Sequence, residues 1–115
     1  MFDFEKLEVY QVAKDLNQGV LKFIFSSIEI DPYIRDQWKK CSIDSVLNLS
    51  EGTARVTDTE KKQYFTMARG SVFECVTLLH LVYDLGQISE SQYTEFYNHY
   101  EKLSKMLLGM YRSKL

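Results

Sequence analysis

A chain of 115 residues with one proline, Pro32, and five glycines has little with which to turn. An all-β domain needs a turn roughly every 8 to 12 residues. This chain must therefore spend its length in long uninterrupted elements, and its apolar residues recur at helical spacing. In the first segment, from about Phe4 to Ile28, Val9, Leu16, Val20, Phe23 and Ser27 follow a three–four stripe. Leu7, Tyr10, Leu21, Phe25 and Ile28 widen its apolar face. Gly19 interrupts it, which costs about 1 kcal/mol relative to Ala.

The stops between helices are chemical. Asp31 before Pro32 has the form of an N-cap followed by proline at the first helical position, which starts a second helix running to about Ala54. Thr57 and Glu60 have capping-box spacing and start a third helix near Asp58. That helix carries Phe65, Ala68, Val72, Cys75, Leu79 and Val82 on one stripe and stops at Gly86, placed as a left-handed C-cap. Ser89 with Gln92 repeats the box, and the fourth helix aligns Tyr93, Phe96, Tyr100, Leu103, Leu107 and Met110.

Four helices of roughly 22 to 28 residues span about 33 to 42 Å each. Their short connections force sequential neighbours to be antiparallel. The pattern predicts an all-α, up-down-up-down four-helix bundle, a single domain over residues 1–115. A chain of this length buries roughly two-thirds of its unfolded surface, enough for its own core.

The net charge of −2 gives no global basic field for nucleic acid. Two cysteines, Cys41 and Cys75, make no disulfide framework and are expected as free buried thiols. The N-terminal stretch alternates charged and apolar residues, unlike a signal peptide, and no continuous apolar run suggests a membrane span. The expected location is the cytoplasm. Tyr and Phe number eight and seven, and such an aromatic excess favours burial against copies of the chain or a partner.

The second helix poses the sharpest question. Its stripe Ile34, Trp38, Cys41, Ser45, Asn48 and Gly52 begins large and apolar and becomes small and polar. Gln37, Asp44, Asn48, Glu51 and Arg55 run beside it, while Ile43, Val46, Leu47 and Leu49 supply apolar surface on the remaining sides. A helix apolar on several sides is covered on several sides, so part of the polar stripe is expected to be buried. Buried amides and carboxylates need partners. The third helix offers Ser71 and Glu74, with Arg69 nearby, and Ala68 and Gly70 are small enough for a close helix approach. The reading is a polar network of Asn48, Glu51, Arg55, Ser71 and Glu74, placed between helices two and three or at a subunit contact. The alternative is a solvated face with an ordinary helix-ending glycine.

These residues resemble a family. Asn48, Glu51, Gly52 and Arg55 match an Asn-x-x-Glu-Gly-x-x-Arg signature, and Ala68, Gly70, Ser71 and Glu74 match Ala-x-Gly-Ser-x-x-Glu. With the opening "FEKLEVYQVAKDL" and Gln37 followed by Lys39 and Lys40, the chain resembles the small four-helix-bundle proteins encoded in intervening sequences of bacterial 23S rRNA genes. Accessory variability determinants of diversity-generating retroelements are relatives. The resemblance implies a ring-like homo-oligomer, often a pentamer, with no catalytic activity, acting as a scaffold for a protein or RNA partner.

No residue pattern supports catalysis, a cofactor or a metal. No Ser or Cys sits in a Gly-x-Ser-x-Gly turn, and no glycine-rich phosphate loop is present. His80 with Asp84 and His99 with Glu95 are i, i+4 pairs, read as surface or interface histidines; neither has a Glu three residues before it, as a di-iron bundle requires. The second functional reading is a nucleic-acid-binding accessory protein that uses local patches at Lys39, Lys40, Arg55, Lys61, Lys62 and Arg69.

Overall fold

The structure, a computed structural model, describes residues 1–113. A single 3-10 turn, Asp3–Lys6, leads into α1 (Glu8–Ser26), α2 (Pro32–Ala54), α3 (Asp58–Asp84) and α4 (Glu90–Arg112). There is no strand among the described residues.

The helix starts follow the expected caps. The Asp31 carboxylate accepts from the amides of Tyr33 at 2.9 Å and Ile34 at 3.3 Å. The hydroxyls of Thr57 and Ser89 accept from the amides of Glu60 at 3.2 Å and Gln92 at 3.1 Å. Each bond satisfies an amide with no partner inside its own helix. The boxes do not close reciprocally: Glu60 instead accepts the Thr57 hydroxyl, and the Gln92 side chain turns to Glu95. At the end of α3, Gly86 takes φ +71, its amide reaches the Tyr83 carbonyl and the Gln87 amide reaches Val82. That is a Schellman motif, and its left-handed residue strongly favours glycine.

Helix one departs from expectation. It does not run unbroken from Phe4: Leu7 is extended, and α1 proper starts at Glu8. Tertiary contacts overcome local propensity here. The Phe4 ring meets Tyr10 edge-on at 4.9 Å, and the Gln11 side chain caps the Glu5 carbonyl at 2.9 Å, folding the leading turn back onto α1.

Cross-helix contacts give the direction of each helix. Gly52 lies against Phe65 and Cys41 against Cys75, so α2 and α3 run in opposite directions. Asn17 bonds Ser42 while Phe23 meets Trp38, so α1 and α2 do as well. Lys62 sits over Tyr111 and Tyr83 on Tyr93, which reverses α4 relative to α3. The packing pairs run α1–α2, α2–α3, α3–α4 and α4–α1, a closed cycle around one core, and α2 with α3 is the most extensive. The molecule measures 43 × 26 × 23 Å.

Val20, Ile24, Trp38, Leu49, Phe65, Val72, Leu79, Tyr100, Leu103 and Leu107 fill that core. Phe23, Trp38 and Phe96 form an edge-to-face trio with centroids 5.8 to 6.4 Å apart, locking α1, α2 and α4 together. By length and composition α3 could span a membrane, with an 18-residue window of mean hydropathy 1.2. In the bundle Phe65, Ala68, Val72, Cys75, Leu79 and Val82 serve the core while Met67, Phe73 and Leu81 are exposed, and Arg69 and Glu74 interrupt the helix at mid-length.

Candidate functional site

The family-like signature on α2 lies at a close contact with α3. A Cβ built on Gly52 would lie 2.5 and 2.7 Å from two Phe65 ring carbons and 3.2 Å from the Tyr64 Cβ. Glycine is required there because α3 approaches the α2 backbone directly; it is more than a helix-ending residue. Beside it, Arg55 organises the turn between the helices. Its guanidinium bonds the Glu51 carboxylate at 2.7 Å and the Tyr64 hydroxyl at 3.1 Å, stacks 4.6 Å from the Tyr64 centroid and reaches Glu60 at 3.9 Å. The pairs are partly solvated, so their Coulomb contribution is small. Their effect is to fix the angle of the turn.

The rest of the expected network does not assemble within one chain. Asn48 is half-buried, Ser71 buried and Glu74 exposed. Among the described residues no hydrogen bond joins these three to one another or to the Glu51–Arg55 pair. The i, i+4 pair formed because it needs one helix only. The other three depended on the rotation of α3, which turns Glu74 outward. Gly70 also fails to mediate the α2–α3 approach: its Cβ position is open, and the residue lines a groove with Phe65, Arg69, Phe73, Leu108 and Tyr111.

The basic residues are dispersed and engaged. Lys39 pairs with Asp36 at 3.2 Å and Lys40 with Asp44 at 2.8 Å. The Asp44 hydrogen bond raises the Lys40 pKa. Lys61 caps the Thr53 carbonyl at 3.1 Å, Lys62 covers the Tyr111 ring and Arg69 the Phe73 ring. Arg55, Lys61 and Lys62 share the α2–α3 turn end of the bundle, while Arg69 lies near mid-length of α3. Lys39 and Lys40 lie some 16 residues back along α2, about 24 Å away. The six do not make one patch.

Among the described residues neither histidine pairs with a carboxylate. His80 stacks on Tyr97 and Tyr93, with centroids 6.1 and 6.3 Å away, and His99 Nδ1 lies 2.7 Å from the Glu95 backbone carbonyl. No cluster of three potential metal ligands occurs among the described residues.

Two polar links inside the bundle went unrecognised in the sequence. Asn17, 2% exposed, donates to the Ala13 carbonyl at 2.7 Å and accepts from the Ser42 hydroxyl at 2.7 Å, tying α1 to α2. The signal was present, since Asn17 directly follows the stripe residue Leu16. The second link crosses the core. Trp38 Nε1 donates to the Tyr100 hydroxyl at 3.1 Å, and nearby Cys75 Sγ donates to Cys41 Sγ at 3.1 Å. Cys41 in turn donates to the Trp38 carbonyl at 3.4 Å. Burial pushes the Tyr100 hydroxyl pKa well up, and the Cys41 hydrogen bond together with burial does the same to the Cys75 thiol.

The outer surface carries two apolar faces on opposite flanks. On α1 and α2, Leu21, Phe25, Ile43, Val46 and Leu47 line an open groove edged by Lys14, Gln18 and Lys22. On α3 and α4, Phe73 stands between two grooves whose other walls include Val76, Tyr97, Leu108 and Tyr111. Glu51 and Glu74 line neither.

Residues 5–109 match the 23S rRNA-intervening sequence protein family. A crystal structure of a protein of unknown function, from the S23 ribosomal protein family of Bacteroides thetaiotaomicron VPI-5482, is similar in fold. The TM-score is 0.84 at 13% identity, covering 90% of this chain and 97% of that one. A comparison with curated proteins finds no match.

Proposed function

This chain belongs to the 23S rRNA-intervening sequence protein family, and from that premise we propose that it is a non-catalytic homo-oligomeric bundle, an interaction module that presents repeated surfaces to a protein or RNA partner. The observation that carries the reading is the exposure of large apolar side chains on two unlike faces. Phe25 is 62% exposed, Leu47 57% and Ile43 44% on the α1–α2 flank; Phe73 is 52% exposed on the α3–α4 flank. Contiguous apolar surface of this kind marks interaction sites. The two flanks differ in edging charge, Lys14 and Lys22 on one and Arg69 and Glu101 on the other, which favours contact between unlike faces. Joining one to the other is a heterologous contact, which closes into a ring when the rotation allows and otherwise grows as a filament. A ring, with five protomers as the expected number, covers both faces of every copy. The open Gly70 position leaves room on the α3–α4 flank for a neighbour's side chains.

Light scattering on the size-exclusion peak tests this. The expected mass is a multiple of the 13.5 kDa protomer that persists on dilution to micromolar concentration. A clean monomer at high concentration defeats the reading.

The second reading, nucleic-acid contact, draws support from the three cations Arg55, Lys61 and Lys62 at the α2–α3 turn end. It requires binding at low salt that weakens steeply as salt rises, through counterion release. No shift of RNA or DNA at low salt removes it.

A further inference from the structure

We infer that Cys41 and Cys75 are a disulfide site built across the α2–α3 contact. The two sulfurs face each other at 3.1 Å from adjacent antiparallel helices. A bond requires a sulfur separation near 2 Å, so about 1 Å of approach completes it. Rotamer adjustment and a slight closure of the helices supply that distance. Both side chains are in the core, Cys41 at 3% exposure and Cys75 at 0%. A pair of thiols is not needed to fill this space, as two small apolar residues would do so. What distinguishes the pair is its alignment: Cys75 donates to Cys41, and Cys41 donates to the Trp38 carbonyl at 3.4 Å.

The chemistry is a two-electron oxidation. One thiol, as its thiolate, attacks a peroxide oxygen to give a sulfenic acid and water. The second thiol then displaces the hydroxyl from that sulfur as a second water. Two thiols and one hydrogen peroxide thus yield one disulfide and two waters. A small-molecule disulfide serves equally, releasing two of its own thiols by successive exchange. The buried thiols reach an oxidant only when the α2–α3 contact opens locally, so the rate of bond formation follows that opening. The product staples the two most extensively packed helices across a 34-residue separation and fixes their register. Dithiol and disulfide forms therefore differ in how readily this contact opens.

The test uses the full reduced chain in two arms. In one it meets hydrogen peroxide over a range of temperatures below its melting midpoint. In the other it is unfolded and refolded in mixed reduced and oxidised glutathione. Alkylation after denaturation counts thiols, intact mass reports the loss of two hydrogens, and peptide mapping locates the link. The expected result in at least one arm is joint loss of both thiols, a Cys41–Cys75 linked peptide pair, an unchanged helical signal and reversal by dithiothreitol. Cys41→Ala and Cys75→Ala each abolish the link. The inference is overturned if both arms yield only free thiols, mixed disulfides, intermolecular dimers or sulfinic acid. It is equally overturned if the link forms only in chains that have lost their helical signal.

Discussion

Adding one methyl group at Gly52 and one at Gly70 should move stability in opposite directions. Both residues lie inside helices, where Gly→Ala alone favours the helix by up to about 1 kcal/mol. At Gly70 nothing lies within 4 Å of the new carbon, so Gly70→Ala should stabilise by about 0.5 to 1 kcal/mol. At Gly52 the methyl would sit 2.5 Å from the Phe65 ring and 3.2 Å from the Tyr64 Cβ. Phe65 is 1% exposed within the packed α2–α3 contact, and the Tyr64 Cβ is fixed by its backbone. Overpacking of this kind typically costs about 1 to 3 kcal/mol. Less the propensity gain, Gly52→Ala should destabilise by about 1 kcal/mol. The two variants then differ by about 2 kcal/mol, or about 8 °C in melting midpoint for a chain of this size. Far-UV circular dichroism melts measure it. Phe65→Leu in the Gly52→Ala background should recover part of the loss, a coupling that a double-mutant cycle isolates. If Gly52→Ala melts at or above Gly70→Ala, the close α2–α3 approach is wrong, and with it the physical reading of the signature on α2.

Other perturbations probe the polar interior. Asn17→Ala leaves the buried Ser42 hydroxyl without its acceptor and should lower stability by about 1 to 3 kcal/mol in urea unfolding. Adding Ser42→Ala should return part of that, and an unchanged midpoint for Asn17→Ala contradicts the α1–α2 link. Stability should also be level through neutral pH and fall in alkali. The native state holds the Tyr100 and Cys75 protons above their ordinary pKa values, through burial and the Cys41 hydrogen bond respectively. The unfolded chain releases them from about pH 8.5 for Cys and about 10 for Tyr, and each further unit of pH then favours unfolding. Melts across that window test the sign: a midpoint rising with pH would contradict it.

The sequence made some parts of this molecule legible and hid others, for identifiable reasons. Asp31, Thr57, Ser89 and Gly86 act on backbone groups within a few residues of themselves, so the ends they set could be read from spacing alone. The break at Leu7 could not, because no local residue causes it; it depends on where Phe4 meets Tyr10. The same divide runs through the site. Glu51 and Arg55 are neighbours on any helix, whereas Asn48, Ser71 and Glu74 required a rotation of α3 that hydrophobic pattern does not specify when the helix is apolar on several sides. The signature glycine was visible as a residue, but the Phe65 ring that demands it was not. Asn17 and Tyr100 were hidden by their neighbours, each lying within an apolar stripe or beside one while its polar atoms found partners on another helix.

If unlike faces of the bundle meet between copies, two variants that each lack one of the faces should assemble only when mixed. One variant carries Phe25→Glu and Leu47→Glu, the other Phe73→Glu, all at exposed positions. Light scattering should find each variant alone monomeric, while an equimolar mixture forms a one-to-one dimer through its single remaining pair of intact faces. Variants that each assemble as the parent chain does, or a mixture that stays monomeric while the parent assembles, would contradict contact between unlike faces.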